Sequence, residues 1–532
     1  MNRAVFASLT ILCLISVSSI TGLIQVVKAD GGTIYIRADG SIDPPMAPIY
    51  TAENITYTLT GNITADADGI AIERDNIVLD GAGYTVTGSG IGNGITLTNR
   101  SDVTVRNLTV KNFTYGIYLY SSSNSTLSGN NVTANNGPGV RLDYSVNNSI
   151  SGNNVTANNG NGIYLYYSMN NSVNGNNVAN NGGGIGLDYS LKNSVSGNNV
   201  SANNGDGIIL GSSLNNIVSG NNITANNSYG IHLDSCSNNS VSGNNITEND
   251  WNGIRLDSSS NSSVSGNNLT ANNVYGIGLY SSSNSSISGN NIANNMYGIG
   301  LDSSSNYNSI SGNNITANHG VGVSLGSSSS NSIFHNNLVN NNIQVYSTSD
   351  SANIWDDGYP SGGNYWNDYN GTDLKTATYQ NETGSDGIGD TPYIIDSSNQ
   401  DNFPLMGMHS DFNTTSQYHF QVISNSTISD FQFNGTAINF NATGENGTTG
   451  FCRISLPTAL INGTFTIAVN AAEVPYTLLQ ESNGTQSFLY FTYHHSTQVT
   501  IPEFQSFLIL SLFLVATLIA AMIKKKRPTR TA

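Results

Sequence analysis

An all-β fold, a right-handed parallel β-helix, is predicted for this 532-residue chain from three observations. The phrase Gly-Ile-x-Leu recurs from Gly116 to Gly298, and as Gly-Val-x-Leu at Gly139 and Gly322, at intervals of 22 to 24 residues. A second phrase, Ser-Gly-Asn-Asn, keeps the same beat, with its glycines running from Gly129 to Gly312. Between turn residues the apolar side chains come in groups too short for a helix, as in Ser149-Ile-Ser151, Asn154-Val-Thr156 and Gly162-Ile-Tyr-Leu165. Each group fits a short strand with one or two inward side chains. Three such strands per period make one coil, and coils stack about 4.8 Å apart through parallel pairing. Asn repeated at one position of successive coils can hydrogen-bond into a ladder. The sequence leaves open which Asn of each pair points inward.

The elements follow in chain order. Residues 1–29, with Arg3, the apolar Ala4 to Val27 and the small Ala29, read as a signal peptide cut after Ala29. The alternative is an uncleaved anchor, because the apolar run is long. Residues 30–68, which hold Ile34-Tyr-Ile36 and Tyr57-Thr-Leu59, are assigned as an N-terminal cap, since a solenoid must shield its open end. The helix proper is assigned to 69–345. Trp355, Tyr359, Tyr365, Trp366, Tyr369 and Tyr393 then cluster with Asp and Gly, and 346–410 reads as a C-terminal cap. Over 411–500, alternating runs such as Phe431-Gln-Phe433 and Ile438-Asn-Phe440 suggest a small β-sandwich stalk. Residues 504–523 are apolar and, at about 1.5 Å per residue, long enough for about 30 Å of hydrocarbon. The basic tail 524–532, opening Lys524-Lys-Lys-Arg527, marks the cytoplasmic side. The expectation is a single-pass cell-surface protein with its bulk outside.

Charge excludes one class of partner. Seven of the 17 basic residues lie in the signal segment and tail, leaving 10 against all 34 acidic ones. Such a surface repels nucleic acid. Beyond the signal segment only Cys236 and Cys452 remain, far apart in sequence, so disulfides do not hold the fold together.

The repeated Asn-Ser-Ile-Ser-Gly-Asn-Asn with Gly-Ile-x-Leu, over about 69 to 405, resembles the NosD-like family of parallel β-helix surface and periplasmic proteins. Trp355-Asp-Asp-Gly-Tyr-Pro-Ser-Gly-Gly-Asn-Tyr-Trp366 and Asp386-Gly-Ile-Gly-Asp-Thr-Pro-Tyr393 resemble the end segment of archaeal members. Pro502-Glu-Phe504, the apolar span and the basic cluster resemble archaeal surface-protein sorting signals, which implies a sorting protease as a partner. The family name implies copper, for which the sequence gives little support. Copper favours clustered His, Cys or Met, and here they are scattered, His494-His495 being the sole adjacent pair.

In Gly-Ile-x-Leu-z the Ile and Leu point in while x and z point out. The outward columns include Tyr118, Tyr120, Tyr164 and Tyr166, which could stack on sugar rings, and a polar group, His232, Asp234, Arg255 and Asp257, on adjacent coils. Two function classes follow. One is a non-catalytic surface protein that contacts glycans or surface-layer components. The other is a polysaccharide lyase, hydrolase or epimerase using Asp234, Asp257, His232 and Arg255. A structural calcium ion is expected at Asp386-Gly-Ile-Gly-Asp390, with Asp373 and Asp396 near in sequence, because calcium takes carboxylate and carbonyl oxygens. Asn-x-Ser/Thr acceptors are dense. Those in inward ladders should stay bare, and modification is expected mainly at Asn434, Asn441 or Asn462.

Overall fold

The structure is a computed structural model that describes residues 31–348, 351–415, 418–435, 437–461, 465–495 and 497–502. The expected signal peptide, the 504–523 span and the basic tail lie outside these residues, as does Asn462. Among the described residues no helix is long and apolar enough to cross a membrane. The chain forms two compact units, one of residues up to Ser332 with Val339–Asn353, the other of Ile333–Leu338 with residues from Ile354 onward.

The first unit is a parallel β-solenoid of three-stranded coils. One long sheet has 15 strands. It starts at Ile42–Asp43, which pairs antiparallel with Ile34–Ile36, and then runs parallel through Ile70–Ile72 and Asn93–Thr98 to Ile343–Ser347. Two further parallel sheets are built from the Ser-Ile-Ser and Asn-Val-Thr groups, for example Ser240–Ser242 on Ser263–Ser265 and Asn245–Thr247 on Asn268–Thr270. The register repeats from coil to coil, so Ile231 lies on Ile254 and Leu233 on Leu256. Residues 31–68 already give one strand to each parallel sheet, and short antiparallel partners cover the end.

Each coil buries a small apolar set. In one coil Val218, Ile223, Ile231 and Leu233 are all fully buried. Each such side chain contributes about 1.5–3 kcal/mol on leaving water. The two glycines of the repeat do different work. Gly220 sits at a corner with φ +63°, in the left-handed region where L side chains are strained. Gly207 faces inward, where a Cβ would meet the carbonyl oxygen of Gly230 and Ile223 at 2.6 Å.

The paired asparagines resolve into an inner and an outer ladder. The first of each pair, Asn130, Asn153, Asn176, Asn198, Asn221, Asn244, Asn267, Asn290 and Asn313, is buried. From Asn130 to Asn290 each amide nitrogen donates to the side-chain oxygen on the next coil at 2.9–3.0 Å. The second, from Asn131 to Asn314, faces out, and from Asn154 onward its amide donates to the preceding coil at 2.7–3.2 Å. Further inner ladders run through Asn158, Asn181 and Asn203, and through Asn171, Asn193 and Asn216. A serine row turns another corner, Ser190 Oγ accepting from the Ser168 N–H and Ser213 Oγ from the Ser190 N–H. Cys236 takes one place in this row, 3.4 Å from the Ser213 N–H.

The second unit carries two bulky anchors. Trp355 and Trp366 are buried, their indole N–H groups donating to Asn399 at 3.0 Å and Asp401 at 2.9 Å, and Tyr393 stacks on Trp366 at 4.2 Å. Asn337 and Leu338 pair in parallel with Tyr365 and Trp366. Two five-stranded antiparallel sheets follow, one containing Tyr418–Ser424, Thr449–Pro457 and Gln486–His494, the other Thr427–Phe433 and Ala437–Thr443. Phe420, Ile438, Phe440, Ile454 and Leu489 fill the space between them, which makes a small β-sandwich.

Candidate functional site

The outward face of the 15-stranded sheet gathers the chain's chemistry because the register stacks x on x and z on z. Tyr118 pairs with Arg141, Arg141 with Tyr164, and His232 with Arg255. A third outward column was not visible in the repeat phrase. Gly and Ile of Gly-Ile-x-Leu are both buried, so the strict alternation breaks and the residue before the glycine also faces out. Tyr115, Asn161, Asp206, Tyr229 and Tyr275 stand in this column, half-buried.

Around Arg141 the polar groups lock together. Its Nε donates to both Asp143 oxygens at 3.0 Å, and its guanidinium lies 5.0 Å from the Tyr115 ring centre and 5.3 Å from that of Tyr164. The Tyr118 hydroxyl donates to Asp143 at 3.0 Å and the Tyr164 hydroxyl to Asp188 at 2.6 Å. Burial, followed by these carboxylates, pushes both phenols far above their ordinary range. Tyr120 is exposed, and Tyr166 stacks with Tyr164 at 6.4 Å. Beside them Tyr144, Tyr167 and Tyr189 form an exposed parallel stack at 5.4 and 4.9 Å.

The second polar group assembles differently from expectation. His232 lies between two carboxylates, Nδ1 3.2 Å from Asp206 and Nε2 3.1 Å from Asp257. Arg255 donates to Asp257 at 2.8 and 2.6 Å and lies 5.0 Å from the Tyr280 ring centre. Burial opposes charge on His232, but the hydrogen bonds and charges of Asp206 and Asp257 outweigh it, and the imidazole pKa is raised. Asp234 is exposed and accepts from Ser235 at 3.0 Å. Asp234 is the register partner of Asp257, while the second carboxylate on His232 is Asp206, which sequence reasoning missed. Its position before Gly207 would have shown it, had the buried Gly-Ile pair been foreseen.

The four carboxylates expected around calcium are engaged by the chain's own donors. Asp386 is buried and accepts from Tyr359 at 2.8 Å, Thr376 at 3.1 Å, Gln380 at 3.2 Å and the Ile388 N–H at 3.0 Å. Asp390 accepts from Thr372 and from the Leu374 and Lys375 N–H groups. Asp373 accepts from the Asp386 and Gly387 N–H groups, and burial pushes its pKa up to about 7. Asp396 accepts from Ser398 and Asn399 within its own turn. Among the described residues no group of three or more His, Cys, Asp or Glu is placed to hold a metal ion. Of the soft donors, Cys236 belongs to the serine row and Cys452 is buried in the sandwich beside Ser424 and Tyr493.

The second unit also holds a cavity of about 300 Å³, lined among others by His335, His409, Gln421, Arg453, Ser455 and Phe488. The two imidazoles stack at 4.4 Å, and burial lowers both pKa values. Arg453 is spent on the chain itself, donating to the carbonyl oxygens of Asp386, at 2.6 Å, and Pro360.

Comparison with known proteins agrees with the coils. A family described as periplasmic copper-binding protein (NosD) matches residues 225–371, and one described as right handed beta helix region matches 49–200 and 93–241. No curated protein matches the chain. Among solved structures it is similar to the mannuronan C-5 epimerase AlgE4 A-module of Azotobacter vinelandii, with 16% identity, 53% of this chain and 91% of that one covered and a TM-score of 0.41. It is also similar to the Dettilon tailspike protein, with 15% identity, coverages of 83% and 87% and a TM-score of 0.34. A third is DFA-IIIase from Arthrobacter chlorophenolicus A6, with 16% identity, coverages of 46% and 67% and a TM-score of 0.30. The repeating coils and the match to the right handed beta helix region make this part of the chain a right-handed parallel β-helix, of which residues 225–371 match the NosD family.

Proposed function

We propose that this protein is a non-catalytic surface β-helix that contacts glycans through the outward face of its long sheet. The observation that carries this reading is the in-register row of tyrosines, carboxylates and arginines on successive coils. Aromatic faces suit the apolar faces of sugar rings, and fixed carboxylate and guanidinium groups suit their hydroxyls. Exposure outside the cell, attachment through residues 504–523, surface-layer neighbours and a sorting protease belong to the same reading. Binding of the full chain to a panel of neutral and acidic polysaccharides tests it, and absence of binding to every one rejects it.

His232 between two carboxylates favours a second reading, a polysaccharide-active enzyme with Asp206, His232, Asp257 and Arg255 as the reacting group. Turnover that is lost in Asp257→Asn and kept in Asp234→Asn supports it. The calcium expectation at Asp373, Asp386, Asp390 and Asp396 is a separate proposal in which the ion competes with internal donors. Calorimetry at millimolar calcium with and without chelator tests it, and an unchanged midpoint rejects it.

A further inference from the structure

The face carries the same device twice. Arg141 donates to Asp143 two residues on in its own strand and lies against the Tyr115 and Tyr164 rings. Arg255 donates to Asp257, again two residues on, and lies against the Tyr280 ring. All four charged side chains are mostly covered, at 8% to 25% exposure, so each pair is a fixed donor and acceptor set beside aromatic rings. The two pairs are aligned in one column. The register runs from Arg141 to Tyr164, Gly186, Ile209, His232 and Arg255, which is five coil steps. At about 4.8 Å per step they stand about 24 Å apart along the axis.

Between them the same column holds Tyr164, Gly186, Ile209 and His232, and the Gly186 position is covered by the Asn161 and Tyr164 side chains. A chain laid along the axis would meet aromatic and ionic groups at both ends. Beside the second pair, Asn252 holds a buried amide nitrogen without a partner, 2.5 Å from where a Cβ on Gly278 would lie. That is an unused donor next to Arg255. The charge of the row selects the ligand. Asp143, Asp188, Asp206, Asp234, Asp257 and Asp302 outnumber Arg141, Arg255 and His232, and such a row repels a polyanion.

Resting on the glycan-contact reading above, we infer that the Arg141–Asp143 and Arg255–Asp257 stations grip one linear, uncharged polysaccharide at two points. Joining two weak contacts by one ligand raises the affinity by about 10²–10⁴ once the ligand spans both, without any new contact at either. The test is a length series of neutral gluco- and manno-oligosaccharides, measured by titration calorimetry against the full chain, with polygalacturonate as the anionic comparison. The expected result is a step of at least about 10² in affinity at the length that spans the stations, weak binding of polygalacturonate, and loss of the step in Arg141→Gln and in Arg255→Gln alike. Thermal melts check that the variants fold. Tyr115→Ala and Tyr280→Ala, which spare the ion pairs, serve as a second set with the same expected loss. Affinity independent of length, a step that survives loss of either station, or preference for polygalacturonate overturns the inference and leaves glycan contact standing. No binding of any glycan rejects both.

Discussion

Asn221 and Asn222 are neighbours in sequence, identical in chemistry and opposite in consequence. Asn221 is 1% exposed. Its side-chain oxygen accepts from the Asn198 N–H and the Asn198 amide, both at 2.9 Å, and its amide donates to the Val195 carbonyl oxygen at 3.0 Å and to Asn244 at 2.9 Å. Asn221→Ala removes four buried hydrogen bonds and leaves at least the Asn198 N–H and the Val195 carbonyl oxygen short of a partner. At about 1–3 kcal/mol for each buried group left unsatisfied, the loss is about 2–6 kcal/mol. Asn222 makes the outer bonds, to Asn199 at 2.9 Å and from Asn245 at 2.8 Å. Water can replace these, so Asn222→Ala costs below about 1 kcal/mol. Urea titration followed by far-UV circular dichroism compares the two. Long repeat arrays unfold in parts, so amide exchange at Asn198 gives the local reading. Equal losses, or a larger loss at Asn222, would refute the assignment of inner and outer ladders.

Three more outcomes are expected. Ile231→Ala should cost about 2–5 kcal/mol, and Tyr164→Ala less, about 1–2 kcal/mol, since Tyr164 is only half-buried and loses ring contacts and its hydrogen bond to Asp188. Comparable losses in the same titration would reverse the strand facing. NMR titration should show His232 protonated above the ordinary imidazole pKa of about 6.5, and Asp257→Asn should bring it down. Because the folded value is raised, the stabilisation from His232 is fully present below about pH 6.5 and is lost as pH rises through the folded value. An unshifted His232 would remove the two-carboxylate bridge. Glycopeptide mapping of native protein should find carbohydrate at the exposed turn residue Asn434 before Asn154 or Asn222, whose amide nitrogens donate within the outer ladder. An intact mass with no added carbohydrate would refute this.

The period, the three short strands per coil and the inward Ile and Leu were legible in the sequence because a solenoid is local. Each coil contacts the next through the same residues 22 to 24 positions on, so spacing alone sets the register. The sandwich was legible as alternation, with Phe431-Gln-Phe433 and Ile438-Asn-Phe440 both falling in strands. Tertiary structure alone decided which Asn of each pair turns inward, since both residue types are the same and only the αL corner at the preceding glycine sets their directions. It also decided that Asp206 and not Asp234 reaches His232. The buried Gly207-Ile208 pair breaks the two-residue alternation, so Asp206 faces outward 26 positions before His232 and one coil beneath it. The loop acids Asp373, Asp386 and Asp390 show the same limit. Their clustering was visible in sequence, but which N–H and hydroxyl groups fill their oxygens depends on Tyr359, Thr376 and the Gly387 N–H, brought to them only by the folded turn.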